Sequence, residues 1–81
     1  MDAVDGNAIG GLLQEVFGTE MTTAATVCGN CGDSGQVAGL AVYLQAPGTV
    51  VRCRSCDNVL MVFVRIRGRV CVDLQGLAVL G

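Results

Sequence analysis

A small metal-stapled α+β fold is what this sequence predicts, and three observations carry the expectation. Four cysteines fall in two identical C-x2-C spacings, Cys28 with Cys31 and Cys53 with Cys56. Ile9, Leu12, Leu13, Val16 and Phe17 recur at i, i+3, i+4, i+7 and i+8, one stripe along a helix. Beyond the first cysteine pair, short apolar segments alternate with turn residues, the mark of antiparallel hairpins. A chain of 81 residues makes one domain, and domains this small bury a smaller share of their surface than larger ones, so a metal staple is physically expected.

The helix comes first. Asp5 is its expected N-cap, Val4 and Ile9 can close a hydrophobic staple across it, and Gly18 supplies the stop. Gly10 and Gly11 each cost about 1 kcal/mol relative to alanine, so this helix needs its apolar stripe buried in order to form. Residues 20–25 connect it to the first cysteine pair and carry little pattern. From Val37 to Gln45 the β-branched and aromatic content rises, Ala46-Pro47-Gly48 signals a turn, and Thr49 to Cys53 reads as the returning strand. Val59 to Val64 is then a six-residue apolar run, divided by Arg67-Gly68 from Arg69 to Leu74. A two-residue loop there pairs 66 with 69, 64 with 71 and 62 with 73. Regular alternation then puts Val59, Met61, Phe63, Val70, Val72 and Leu74 on a core face. Leu60, Val62, Val64 and Ile66 share the other face with Arg69, Cys71 and Asp73. Gln75-Gly76 bends the chain before a short apolar end, Leu77 to Leu80.

A two-residue gap lets two thiolates converge on one ion from a tight turn, and a second such turn completes a tetrahedron of the kind Zn²⁺ accepts. The 21 residues from Gly32 to Arg52 are close to the roughly 15–20 expected between paired C-x2-C zinc sites, and an out-and-back hairpin in that interval returns the second pair to the first. The expected ligands are therefore Cys28, Cys31, Cys53 and Cys56, with zinc as the cofactor. The fold expected is a zinc ribbon of antiparallel hairpins with an N-terminal amphipathic helix: a single domain over 1–81, helical over 1–19, with the ribbon and C-terminal hairpin over 26–81. The sequence holds no histidine, and a closed shell of four thiolates leaves no coordination position for a substrate water. The carboxylates are scattered, with no pair that spacing would bring together for acid–base work. No enzyme and no small-molecule substrate are expected. A rubredoxin-like iron carrier could use the same four ligands, but such sites are usually ringed by aromatics and this chain has only Phe17, Tyr43 and Phe63. Cys71, among valines, reads as a small apolar strand residue.

The formal charge is −2, and four thiolates around one Zn²⁺ lower it to about −4, which disfavours non-specific nucleic-acid binding. The charges are nonetheless segregated. Residues 1–33 hold five acids and no base, whereas all five arginines (Arg52, Arg54, Arg65, Arg67, Arg69) lie between 52 and 69. A nucleic-acid-associated ribbon using this Arg52–Arg69 segment is thus the competing function, though single-strand binders usually add aromatic platforms to their basic groove. The acidic N-terminus lacks the basic region of a signal peptide, and no apolar run approaches the roughly 18 residues of a membrane span. These features imply a cytoplasmic protein, a compartment where C-x2-C pairs serve as metal sites or redox motifs more often than as structural disulfides.

Asp5-Gly6-Asn7-Ala8, Glu15-Val16-Phe17-Gly18, the two C-x2-C pairs, Tyr43 with Ala46-Pro47-Gly48, Cys56-Asp57 with Val59-Leu60, and Val72-Asp73-Leu74-Gln75-Gly76 together resemble a family of short bacterial proteins of unknown function with zinc-ribbon-like cysteines. The resemblance spans nearly the whole chain. It implies a metal-binding ribbon without an assigned activity, with Cys28, Cys31, Cys53 and Cys56 as ligands. Cys71 stands where a large apolar or aromatic residue would be expected, which implies a packing role. The function these readings converge on is a non-enzymatic zinc-binding interaction module whose partner is another protein or a second copy of itself.

Overall fold

The computed structural model describes residues 3–45 and 48–81. Two antiparallel sheets and one short helix enclose a single apolar core. The larger sheet has the order β1 (Val4–Asp5), β4 (Ala41–Gln45), β5 (Gly48–Arg52), β6 (Val59–Ile66), β7 (Arg69–Asp73); the smaller has the order β3 (Ser34–Gln36), β2 (Ala25–Cys28), β8 (Leu77–Leu80). The expected Ala46-Pro47 turn lies outside the described residues.

The N-terminal segment is less helical than the 1–19 expected: Val4–Asp5 pair with β4 as strand β1, and the helical turns cover Gly6–Phe17. Asp5 accepts a hydrogen bond from the Asn7 amide at 3.1 Å, but the turn it caps, Gly6–Ile9, is 3₁₀; the α-helix, α1, runs Gly10–Phe17 and ends at Gly18 in the left-handed conformation. Ile9 and Leu13 are buried with Val42, Val51, Met61 and Phe63, so the stripe packs on one face of the larger sheet. At the end of that face Glu15 meets Arg65 at 3.0 Å.

The hairpin of β6 and β7 has the register the two-residue turn dictates: Ile66 opposite Arg69, Val64 opposite Cys71, Val62 opposite Asp73. Arg67 (φ 53°) and Gly68 (φ 78°) are both left-handed, the requirement of a type I′ turn. Regular alternation fails at the other end of β6. Val51 faces Met61 but Arg52 faces Val59, so Leu60 is a bulged residue. A bulge re-aims side chains locally, and Leu60 is 1 % exposed within the core whereas Val59 is 36 % exposed. The expected core face is corrected accordingly: Met61 and Phe63 are buried, Leu60 joins them, and Val59 and Val72 stay partly exposed outside the core. Cys71 is exposed as well, so its expected packing role is not realised.

The smaller sheet was not expected. Val37 to Gly39 forms a 3₁₀ turn rather than the start of a strand, and the connector after α1 leads directly into β2. β2 turns Thr26 and Cys28 inward, and the Thr26 hydroxyl donates to the Gly35 carbonyl. β8, expected only as an apolar tail, pairs with β2 through Thr26–Leu80 and Cys28–Leu77. Just before β8 the chain passes so close to β6 that a Cβ on Gly76 would lie 1.8 Å from the Val59 carbonyl oxygen, a position only glycine can fill. With the helix and the small sheet on one side, Tyr43, Val50, Val62 and Val64 lie half-buried on the opposite, open face of the larger sheet.

Candidate metal centre

Each cysteine pair sits on the same hydrogen-bonded turn, built from different residues. In the first, the Cys28 amide donates to the Asp33 carbonyl (2.9 Å) and the Gly32 amide to the Cys28 carbonyl (3.0 Å). In the second, the Cys53 amide donates to the Asn58 carbonyl (2.9 Å) and the Asp57 amide to the Cys53 carbonyl (2.9 Å). The amides of Asn30 and Ser55 approach the sulfurs of Cys28 and Cys53 at the same 3.4 Å. This turn needs a left-handed residue four places after its first cysteine. Gly32 (φ 77°) supplies it without cost, and Asp57 (φ 63°) is among the few non-glycine types that visit that region readily.

The turns come from different sheets: β2 ends at Cys28, and β5 ends one residue before Cys53. The β4–β5 hairpin makes the return journey implied by the 21-residue interval, and the four sulfurs all lie within 4.8 Å of one another. Cys28 and Cys56 are 3.6 Å apart, as are Cys31 and Cys53. These separations are too long for disulfides, whose sulfurs lie at about 2.0 Å. A tetrahedral ion with thiolate bonds of about 2.3 Å separates its ligands by about 3.8 Å, so the cluster fits such an ion with little adjustment. Cys28 and Cys53 are buried, Cys56 is half-buried and Cys31 is exposed, which places the cluster at the rim of the core.

The electrostatics point the same way. The Cys31 amide, with that of Asn30, holds the Cys28 thiol down at about 6. Cys56 is lowered by the Asn30 side chain and the Asn58 amide. Cys31 moves oppositely: although the Asp33 amide favours its thiolate, desolvation and the neighbouring sulfurs of Cys56, Cys53 and Cys28 push it up to about 12. Four sulfurs this close cannot all ionise without a counter-charge, which a metal cation held among them would supply. Asn58 extends its side-chain amide toward the Cys28 sulfur at 3.8 Å, and the Ser55 hydroxyl donates to Asp33 at 2.7 Å, tying one turn to the other. The sequence reading missed this outer layer, since its members are ordinary loop residues with no signal beyond adjacency to the cysteines.

Cys71, on β7, is not among the clustered sulfurs. The arginines do not form one free patch. Arg65 is paired with Glu15, Arg52 meets Asp57 at 3.5 Å and lies 5.8 Å from the Tyr43 ring centre, and Arg54 donates to the Gly39 carbonyl. Among the described residues no helix is long and apolar enough to cross a membrane.

Fold and site together define a small, mostly antiparallel β protein with one short helix and a four-cysteine cluster able to hold a metal ion. The chain belongs to a family of unknown function, DUF6510, which matches residues 1–81. No curated protein and no solved structure matches it.

Proposed function

We propose that this protein is a non-enzymatic interaction module of the zinc-ribbon kind, its Cys28, Cys31, Cys53 and Cys56 holding one structural Zn²⁺ in a reducing, cytoplasmic setting. The observation that carries the reading is the convergence of four sulfurs within 4.8 Å from two turns belonging to different sheets. An ion there acts as a cross-link between sheets that the small core alone holds weakly, and four protein ligands close the coordination shell against substrate. Zinc is favoured over iron by the sparse aromatic surroundings, and protein partners over nucleic acid by the arginines already engaged with Glu15, Asp57 and Gly39.

Metal and fold should then be coupled. Structural zinc contributes on the order of 10 kcal/mol, comparable to the whole stability of a small domain. Purified protein should contain one colourless zinc per chain, and Cys53→Ser should lose both the metal and the cooperative melt. An unchanged circular dichroism spectrum and melting temperature after Cys53→Ser, or after a strong chelator, would refute the structural role. Visible absorption from an iron–thiolate centre would refute zinc.

A further inference from the structure

β7 ends the larger sheet on one side, and among the described residues nothing pairs with its outer edge. Edge strands are normally blunted by charged side chains, proline, a bulge or a covering segment. β7 carries charge only at its two ends, one of each sign, and among the described residues has no proline, bulge or covering segment: Arg69-Val70-Cys71-Val72-Asp73 pair with β6 in unbroken register, and all except Val70 are exposed. The opposite edge, β1, is two residues long, and β8 carries an irregularity against β2, so β7 is the longest regular edge in the described structure.

Two features of this strand are self-complementary. The first is hydrogen-bond phase. Ile66 and Arg69 flank a two-residue turn and therefore form a hydrogen-bonded pair, and by alternation so do Val64 with Cys71 and Val62 with Asp73. Arg69, Cys71 and Asp73 are thus committed to β6, while the N–H and C=O groups of Val70 and Val72 point outward. The second is charge. Reversing the strand about Cys71 brings Arg69 opposite Asp73, Val70 opposite Val72, and Cys71 opposite itself.

We propose that the chain forms a two-fold homodimer by antiparallel pairing of β7 with β7 of a second copy, centred on Cys71. In that register Val70 and Val72 of each copy exchange main-chain hydrogen bonds, using the outward-pointing groups and no others. Arg69 of each copy faces Asp73 of the other in a non-hydrogen-bonded pair, where side chains stand closest. Val72, 37 % exposed in the single chain, is covered by Val70 of the second copy. The two larger sheets become one, and their open faces, with Tyr43, Val50, Val62 and Val64, become a continuous surface. The proposal names the partner of the interaction module above and so rests on that reading, but not on the metal.

Sedimentation equilibrium over a concentration series, with zinc per chain measured for every sample, tests it. The natural chain should pass from monomer toward twice its mass. Val72→Pro removes an outward N–H that β6 does not use, so it should give a monomer with its zinc retained. R69D and D73R should each weaken the dimer at least about tenfold, by placing like charges opposite each other at both symmetry-related sites, and the double variant R69D/D73R should restore it. A natural chain that stays monomeric at millimolar concentration with zinc bound would overturn the dimer and leave the metal centre standing. Dimerisation insensitive to the single charge variants, or unrestored by the double one, would overturn this register, and the charge variants remain decisive should Val72→Pro fail to fold.

Discussion

Leu60 and Val62 lie two residues apart on β6, and simple alternation would give them the same face and similar costs on truncation. The bulge at Leu60 separates their fates. Leu60 is 1 % exposed and packed in the core, whereas Val62 is half-buried on the open face. Leu60→Ala removes three buried carbons, about 2.4 kcal/mol at about 0.8 kcal/mol each, and the unfilled volume between the two sheets adds to this, giving about 3–4 kcal/mol. Val62→Ala removes two carbons that already touch water, for about 1 kcal/mol. Urea unfolding of the zinc-loaded protein, followed by circular dichroism, reads the difference. With a slope of about 1 kcal/mol per molar for so small a chain, the Leu60 variant should lose about 3 M in midpoint and the Val62 variant about 1 M. Equal shifts for the two variants would refute the bulge as the device that sends Leu60 inward.

Gly76→Ala should destabilise the chain by more than an ordinary surface change and weaken zinc retention, because its Cβ would meet the Val59 carbonyl at 1.8 Å beside the Gly29–Gly76 hydrogen bond of the first cysteine turn; thermal melting and zinc release to a chromogenic chelator report both effects. Cys71→Val should keep one zinc per chain and change stability by about 0.5 kcal/mol or less, as expected of an exposed residue outside the cluster; loss of zinc stoichiometry would make Cys71 a ligand. The hydrogen bond and charge of Arg65 hold the Glu15 carboxyl below its ordinary 4.5. The pair's contribution is therefore present above that ordinary value and fades as pH falls through the lowered one, and an NMR titration should show Glu15 returning to the ordinary range in Arg65→Ala.

The features legible in the sequence are those whose determinants lie within a few residues. Asp5 and Gly18 bound the helical segment because capping is a local exchange of hydrogen bonds. Arg67-Gly68 sets the register of a whole hairpin because only left-handed pairs turn so tightly. The cysteine spacing places two ligands on each turn for the same reason, and the length of the interval allows the turns to meet. Charge segregation, by contrast, gave no sign that Glu15 would be brought to Arg65 from 50 residues away.

Tertiary structure alone decided the rest. β2 and β8 are four residues each and pair across about fifty residues of chain, so neither is recognisable until the other arrives. The direction of Leu60 depends on a bulge created where β6 must leave β5 to reach the cysteine turn, and a period-2 pattern cannot register an extra residue. Alternation along β6 did separate Met61 and Phe63 from Val62 and Val64, but what covers the first face was not readable, since the small sheet exists only once β2 and β8 have met. The helix and the small sheet occupy one side, and only their common choice leaves Tyr43, Val50, Val62 and Val64 on the other.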